Sequence, residues 1–285
     1  MQQDDMRLTF VPSLSTNAGQ CLTLADWDNA QATILSYQLD KLLMKPGIEI
    51  LQQISTLRHY FPWSNHWVLN ACFLNCDTIG NYYCRSIYDG TLIKLSVKLL
   101  VDIIINPDHV LLPVGSSRYF QEFWQQLPGD IHFYFSLADD FSTINDSKKS
   151  IIKYYLTTDM WPSIVQIVKS YPQVVFILSE INLITLHKIF TSLRSDVQPI
   201  FIESNKPADD GMKGIIYKGH ALVNLLDKAL SNCHQILDNT CQCQTCCQQL
   251  TYAYLHHLLQ HTPLLAQRFL IQHNIYQCCK LTRFS

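Results

Sequence analysis

The sequence predicts an α/β fold, a closed (β/α)8 barrel that continues into a metal-bearing C-terminal subdomain, and three observations carry that expectation. Short apolar runs rich in β-branched and aromatic residues recur along the 285-residue chain. They alternate with stretches whose apolar positions follow helical spacing. A dense knot of cysteines then opens the last part of the sequence. Strands that are apolar on both faces and separated by helices belong to a parallel sheet covered on both sides. Eight of them in one domain favour a closed sheet, because closure removes the edges. A doubly wound open sheet is the alternative, but no G-x-G-x-x-G turn follows the first strand, so a dinucleotide-binding version of it lacks its main support.

In chain order the strand candidates are LTFVPSL, ATILSYQ, HWVLNAC, HVLLPVG, IHFYFSL, IKYYLTT, VVFILSE and PIFIES. Between them, GIEILQQISTLRHYF, LIKLSVKLLVDII, WPSIVQIVKSY and LITLHKIFTSLR repeat apolar residues at helical spacing and are expected as helices. No low-complexity linker divides the chain. The one abrupt change of composition falls near Asn239, so residues 1–238 are expected to form the barrel and residues 239–285 a metal-binding helical subdomain continuous with it.

A formal net charge of -2 and a pI near 6.6 exclude a globally basic nucleic-acid binder, so any RNA contact would rest on a local patch. From Cys241 to Ser285 there is no Asp or Glu, while Arg268, Lys280 and Arg283 are present. The opening MQQDDMRLTF has no apolar core of an export signal, and no run is long and apolar enough to span a bilayer. A soluble, cytoplasmic protein with no membrane partner is therefore expected. In that setting the 11 cysteines point to metal ligation rather than to a secreted disulfide framework.

The stretch CQCQTCCQQLTYAYLHHL concentrates that signal. A C-x-C-x-x-C turn can wrap three thiolates around one Zn²⁺, which in a structural site wants a fourth ligand from elsewhere. If Tyr252 to Gln260 and Pro263 to Gln272 are helical, the hairpin they form returns His273 to the cysteines. Buried thiols without a metal are the plainer alternative, and the spacing argues against it. His256 and His257 are too close in sequence to converge on one ion and are expected at the surface or an interface. His59, His66, His109 and His132 show no ligand spacing and are expected as ordinary core or surface residues. Cys72, Cys76 and Cys84 are expected to behave as small apolar residues. Cys278 and Cys279 follow the histidine.

These residues carry a resemblance. CQCQTCCQQLTYAYLHHL followed by FLIQHNIYQ is similar to the zinc-binding end of the tRNA-guanine transglycosylases. By that likeness the ligands of one structural Zn²⁺ would be Cys241, Cys243, Cys246 and His273. The interval to the histidine is one residue longer than the family's, so Cys247 competes with Cys246 for the third position. Upstream, LLMKPGIEILQQISTLRHYFPW resembles a family segment through Lys45, Pro46, Gly47 and Glu49, and SIYDGTLIKLSVKLLVDI resembles another through Ser86, Asp89 and Gly90.

The resemblance implies exchange of guanine in tRNA for a deazaguanine through a covalent aspartyl–ribose link, and the sequence departs from it where that chemistry sits. The acid/base aspartate falls on Asn70, whose amide cannot exchange a proton in that role. Polar readers of the base fall at Val114, at Ser136 to Ala138 and at Leu156 to Met160. The nucleophile falls on Glu203, one methylene longer, and two arginines fall on Asp209 and Met212. Ile202, Glu203 and Ser204 resemble the non-catalytic accessory subunit of the eukaryotic queuine-inserting enzyme. Two functions are therefore expected as alternatives. One is a non-catalytic or accessory subunit with an eroded guanine pocket, acting with tRNA as a homodimer or beside a catalytic paralogue. The other is an active base-exchange enzyme with Glu203 as nucleophile. By position, the resemblance puts Tyr254 and His257 at the subunit interface.

Overall fold

A computed structural model of the chain describes residues 8–54, 56–104, 107–126, 130–142, 152–193 and 199–283. In chain order its strands are β1 (Leu8–Pro12), β2 (Ile34–Gln38), β3 (His66–Asn70), β4 (Asn75–Cys76), β5 (Asn81–Arg85), β6 (Leu92–Ser96), β7 (His109–Leu111), β8 (His132–Ser136), β9 (Tyr154–Thr157), β10 (Val174–Leu178), β11 (Ile200–Ser204), β12 (Ile215–Lys218) and β13 (Ala221–Asn224). All eight strand candidates become members of one sheet, ordered β1-β11-β10-β9-β8-β7-β3-β2. Parallel pairing, for example Leu8 with Ile200, Ile34 with His66 and His109 with His132, makes it a nearly closed (β/α) barrel. Among the described residues no helix is long and apolar enough to cross a membrane.

Among the described residues the helices of six residues or more are α1 (Leu24–Asn29), α2 (Ile48–Gln53), α3 (Val97–Ile103), α4 (Phe120–Gln126), α5 (Trp161–Ser170), α6 (Leu183–Ser192), α7 (Lys206–Met212), α8 (Tyr252–His261) and α9 (Pro263–Arg283). The runs expected at α5 and α6 form as read, although Arg194, the last residue of the second, lies outside the described residues. The other two are corrected. GIEILQQISTLRHYF breaks at Ile54, which is extended, and a separate turn restarts at Leu57 with Thr56 accepting from the Arg58 amide. LIKLSVKLLVDII begins as strand β6, where Leu95 is buried and pairs with Tyr82, and becomes helical only after Ser96 caps α3 through the Leu99 amide. A cap residue inside an apolar run marks a boundary that apolar spacing alone misses.

The chain divides into two compact units. One unit spans Ile34–Thr157 and Gln173–Ile177. Its core is aromatic: Tyr134 meets Phe176 with ring centroids 4.7 Å apart, and Phe135 meets Phe123 of α4 and Phe141 edge to face. Such edge-on contacts add to the burial of the rings. Buried hydroxyls find partners, the Tyr155 OH donating to the Leu112 carbonyl and the Tyr82 OH pairing with the Ser116 hydroxyl. The antiparallel β4-β5-β6 sheet belongs here. Ser86, Asp89 and Gly90 build its β5–β6 turn, with the Asp89 carboxylate accepting from the Thr91 amide and Gly90 at φ 73°. Lys45 stands 3.8 Å from the centre of the Tyr88 ring, a cation–π contact.

The other unit spans Met1–Thr33, Thr158–Pro172 and Leu178–Ser285. It is organised around α9, which packs on α7, α1, α6, α8, β1 and β12. Arg268 of α9 makes two hydrogen bonds to the Asp26 carboxylate, at 2.9 and 3.0 Å. The same carboxylate closes the capping box of α1 with Thr23. Arg268 thus spends two of its donors within the fold while its side chain stays 47% exposed. Burial alone would raise the Asp26 pKa, but the Arg268 and Thr23 hydrogen bonds hold it below the ordinary value. A group whose pKa is lower folded than unfolded stabilises the fold above its unfolded pKa, and that stability fades as pH falls through the folded pKa. The destabilisation caused by Asp26→Asn, measured by urea unfolding, is therefore expected to be present at pH 7 and to shrink in acid below pH of about 4.

The approach of α7 to α9 depends on Gly211. A methyl group there would come within 2.8 Å of the Ile271 amide nitrogen and 2.9 Å of its Cα. Backbone at that distance cannot yield without separating the helices. Gly211→Ala is expected to lower stability by about 1–3 kcal/mol, read as a shift of the denaturation midpoint.

Candidate metal centre

The segment before the cysteines is bent by Asp238, whose carboxylate accepts from the Thr240 amide at 2.8 Å and the Cys241 amide at 3.2 Å. The turn Gln244–Cys247 follows, with Cys243 as its cap: the Cys243 sulfur accepts from the Cys246 amide at 3.3 Å. Gln249, at φ 56°, then reverses the chain, and Thr251 caps α8 by accepting from the Tyr254 amide. His273 lies in the middle of α9 rather than after a helix ending at Gln272, so that helix runs further than its sequence reading.

These elements bring Cys241, Cys243, Cys246 and His273 together, all buried, with their ligand atoms within 4.8 Å of one another. His273 Nδ1 lies 3.8 Å from the Cys241 sulfur, 3.4 Å from Cys243 and 3.3 Å from Cys246. A tetrahedral zinc ion with bonds of 2.3 Å to sulfur and 2.0–2.1 Å to nitrogen would separate those atoms by roughly 3.6 Å. The other ring nitrogen, Nε2, donates to the Tyr217 carbonyl at 2.6 Å. That bond fixes the tautomer and leaves Nδ1 as the lone-pair donor toward the sulfurs. Cys247 takes no part: it is exposed, and its thiol turns to the Gln242 carbonyl. Cys278 and Cys279 are buried outside the group.

Electrostatics suit a dication. Hydrogen bonds from Cys243 and Cys246 draw the Cys241 thiol far below its ordinary value against the effect of burial. Burial opposes the charged form of His273, but hydrogen bonds with Cys241 and Cys243 raise it to about 10, so an ion binding at Nδ1 would displace a proton there. The hydrogen bonds with Cys241 and Cys243, together with burial, push the Cys246 thiol the other way, far above its ordinary value, so the buried sulfurs hold their protons unequally and an ion bound among them would displace those that remain. Around the group, Gln277 donates to the Cys241 sulfur at 3.2 Å, and Thr245 ties the turn to the Phe269 carbonyl of α9 at 2.8 Å.

The residue after His273 was not singled out by its sequence pattern. Asn274 is wholly buried; its Oδ1 accepts from the Tyr217 amide at 2.9 Å, and its Nδ2 donates to the Pro207 carbonyl at 3.0 Å and the Ile215 carbonyl at 2.9 Å. It staples β12, which supplies the Tyr217 carbonyl, to the helix that supplies His273.

The adjacent pair on α8 separates by helical phase. His256, expected at the surface or an interface, is buried and donates through Nδ1 to the Leu225 carbonyl at 2.7 Å, which corrects that reading. His257 is exposed, as is Tyr254 at 46%.

The strand ends are described one at a time. Asn70 closes β3, wholly buried, and its Oδ1 accepts from the Cys72 amide at 3.0 Å. Glu203 is buried on β11 opposite Val11 of β1, and its carbonyl accepts from the Ser179 amide at 3.0 Å. Val114 is 50% exposed, and Ser136 accepts through its hydroxyl from the Ala138 amide. Sequence reasoning passed over Glu180, one step beyond Ser179, whose pKa is raised by burial and by Asp209 and Asp159. It also passed over the convergence of His66, His109 and His132 at neighbouring strand starts. That signal was present, since the three open or nearly open consecutive strand candidates of the barrel.

Residues 202–284 match the profile of the family described as queuine tRNA-ribosyltransferase. The chain is similar to the queuine tRNA-ribosyltransferase of Prochlorococcus marinus (strain MIT 9211), 43% identical over 60 residues, which is 21% of this chain and 16% of that protein. To that of Clostridium acetobutylicum it is 32% identical over 76 residues, 27% of this chain and 20% of the relative. To that of Clostridium perfringens (strain 13) it is 31% identical over 81 residues, 28% and 21% respectively. The matches thus span about a fifth of the length of these curated relatives or less.

Proposed function

We propose that the chain, whose residues 202–284 match the queuine tRNA-ribosyltransferase profile, belongs to that family and serves queuosine-type tRNA modification as a non-catalytic, accessory subunit. The observation that carries this reading is Asn70. At the position where the resemblance calls for an acid/base carboxylate stands an amide whose oxygen already holds the Cys72 amide. A primary amide neither gives nor takes a proton near neutral pH, so the base would leave and enter without that help. Glu203 carries its carboxylate one methylene further from the backbone than an aspartate would, about 1.5 Å, and errors of that size cost orders of magnitude in rate.

The Cys₃His centre is proposed to hold one structural Zn²⁺. Cys241, Cys243, Cys246 and His273 would be its ligands, and the ion would pin α9 to the loop between β13 and α8. Its chemistry there is structural: four protein ligands leave no open position for substrate. Tyr254 and His257, both exposed on α8, would meet a partner subunit, either a second copy or a catalytic paralogue. An interface and a metal centre survive in such a protein because neither depends on the chemistry at the strand ends.

Incubation of the protein with tRNA and labelled guanine, alone and with a catalytic transglycosylase, tests the proposal. No incorporation and no covalent tRNA adduct at Glu203 are expected from the protein alone, with association when the catalytic chain is added. Incorporation by the isolated protein that Glu203→Gln abolishes would instead establish the alternative, an active enzyme with Glu203 as nucleophile.

A further inference from the structure

We propose that His66, His109 and His132 form a second metal site, one that takes a divalent transition ion of the kind imidazole prefers, such as zinc or nickel. The three residues open or nearly open three adjacent parallel strands. His109 of β7 pairs with His132 of β8 and with Val68 of β3, and His66 lies two residues before Val68, so strand alternation places all three on one face. The rings meet there: centroids are 5.5 Å apart for His109 and His132, and 6.5 Å for His66 and His109.

The His109–His132 spacing is close to what a shared ion requires, and His66, on the far side of β7 from His132, has to swing inward to complete the set. With nitrogen about 2.0–2.1 Å from a tetrahedral ion, imidazole centroids stand roughly 5.2 Å from one another. The His109–His132 pair is already near that value. His66 is about 1 Å too far from His109, and its side chain is 71% exposed, so rotation about its own bonds can close the gap. The nitrogens are also prepared. His109 Nδ1 pairs with the Tyr134 hydroxyl at 3.0 Å, and His66 Nδ1 lies 3.5 Å from the Asp108 carboxylate. Ligating histidines characteristically present the second nitrogen to such a partner, which turns Nε2 toward the metal. Asp108 is itself held by the Trp67 amide at 2.9 Å and by Arg58 at 3.2 Å, so it is a fixed acceptor and not a mobile one. Water would complete the coordination, as imidazole sites with fewer than four protein ligands allow.

The site is independent of the Cys₃His centre and of the family reading, and the experiment keeps them apart. Full-length protein is dialysed against buffered zinc, and bound metal per chain is measured for the natural protein, for His66→Ala/His132→Ala and for Cys246→Ser. Two ions are expected for the natural protein. One is expected for the double histidine variant, which alters exposed residues and leaves the core intact, and one for the cysteine variant. Tyr134→Phe should weaken the second ion about tenfold while the first is unchanged. Nickel titration followed by the shifted imidazole resonances in NMR should move signals of His66, His109 and His132 together. A single ion in the natural protein, or two retained in the double histidine variant, would overturn the proposal.

Discussion

Replacing Cys243 by Ser is expected to remove the zinc proposed for the Cys₃His centre and, with it, the cooperative folding of the unit built on α9. Cys243 has two positions in the site. Its sulfur faces His273 Nδ1 at 3.4 Å, and it also accepts the Cys246 amide that starts the following turn. Binding of a structural zinc contributes apparent free energies of about 10–16 kcal/mol in small zinc-dependent folds, as large as the whole stability of an ordinary domain at about 5–15 kcal/mol. The expected result is therefore loss of the folded unit rather than a small shift in midpoint. Elemental analysis should fall by one zinc per chain, and helical circular dichroism should fall with it. Cys247→Ser is the matched control: its thiol is exposed and turned to the Gln242 carbonyl, so metal content and stability should not change. A Cys243→Ser protein that kept its metal and its unfolding midpoint would show that the ion is held elsewhere.

The second large effect belongs to Asn274. Its amide satisfies the Tyr217 amide and the Pro207 carbonyl, both buried, and the part-buried Ile215 carbonyl. Asn274→Ala removes three hydrogen bonds to the backbone, and a backbone group left buried without a partner costs about 1–3 kcal/mol. A loss of at least about 3 kcal/mol in urea unfolding, with unchanged slope, is expected. Asn274→Asp should be no better, because the carboxylate keeps the acceptor, loses both donors and brings a buried charge. The Tyr217 carbonyl that orients His273 sits in β12, the strand that Asn274 holds, so metal affinity should fall in the same variants. A loss below about 0.5 kcal/mol, typical of an ordinary surface change, would remove Asn274 from this role.

Much of the barrel is legible in the sequence because its strands are buried on both faces. A run such as VVFIL, buried at every position in β10, has no polar phase to confuse with a helix of its length. The antiparallel β4-β5-β6 sheet is not legible in the same way, since β6 shows only Leu95 buried among exposed or half-buried neighbours and its apolar residues fit helical spacing equally well. At the metal centre the ligands could be read from C-x-C-x-x-C and a returning histidine. The choice between Cys246 and Cys247 could not, because it depends on the turn of Gln244–Cys247, which sends one sulfur inward and the next to solvent. His256 was misread for a related reason: two adjacent residues of a helix differ by about 100° in direction, and only packing decides which of them is covered. The convergence of His66, His109 and His132 requires the register between strands, which no single run contains.

The pairing of β1 with β11 joins Leu8 to Ile200 and closes the unit that α9 covers. A ribosome therefore releases the first strand long before its partner exists, and that strand's hydrogen-bonding edge waits unpaired while most of the polypeptide is made. Pairings so distant along the chain form slowly, and exposed edges invite association with other nascent chains. Production of this protein should accordingly respond to factors that shield emerging β-strands, and a supply of metal once α9 has emerged should act late, as the step that locks the unit shut.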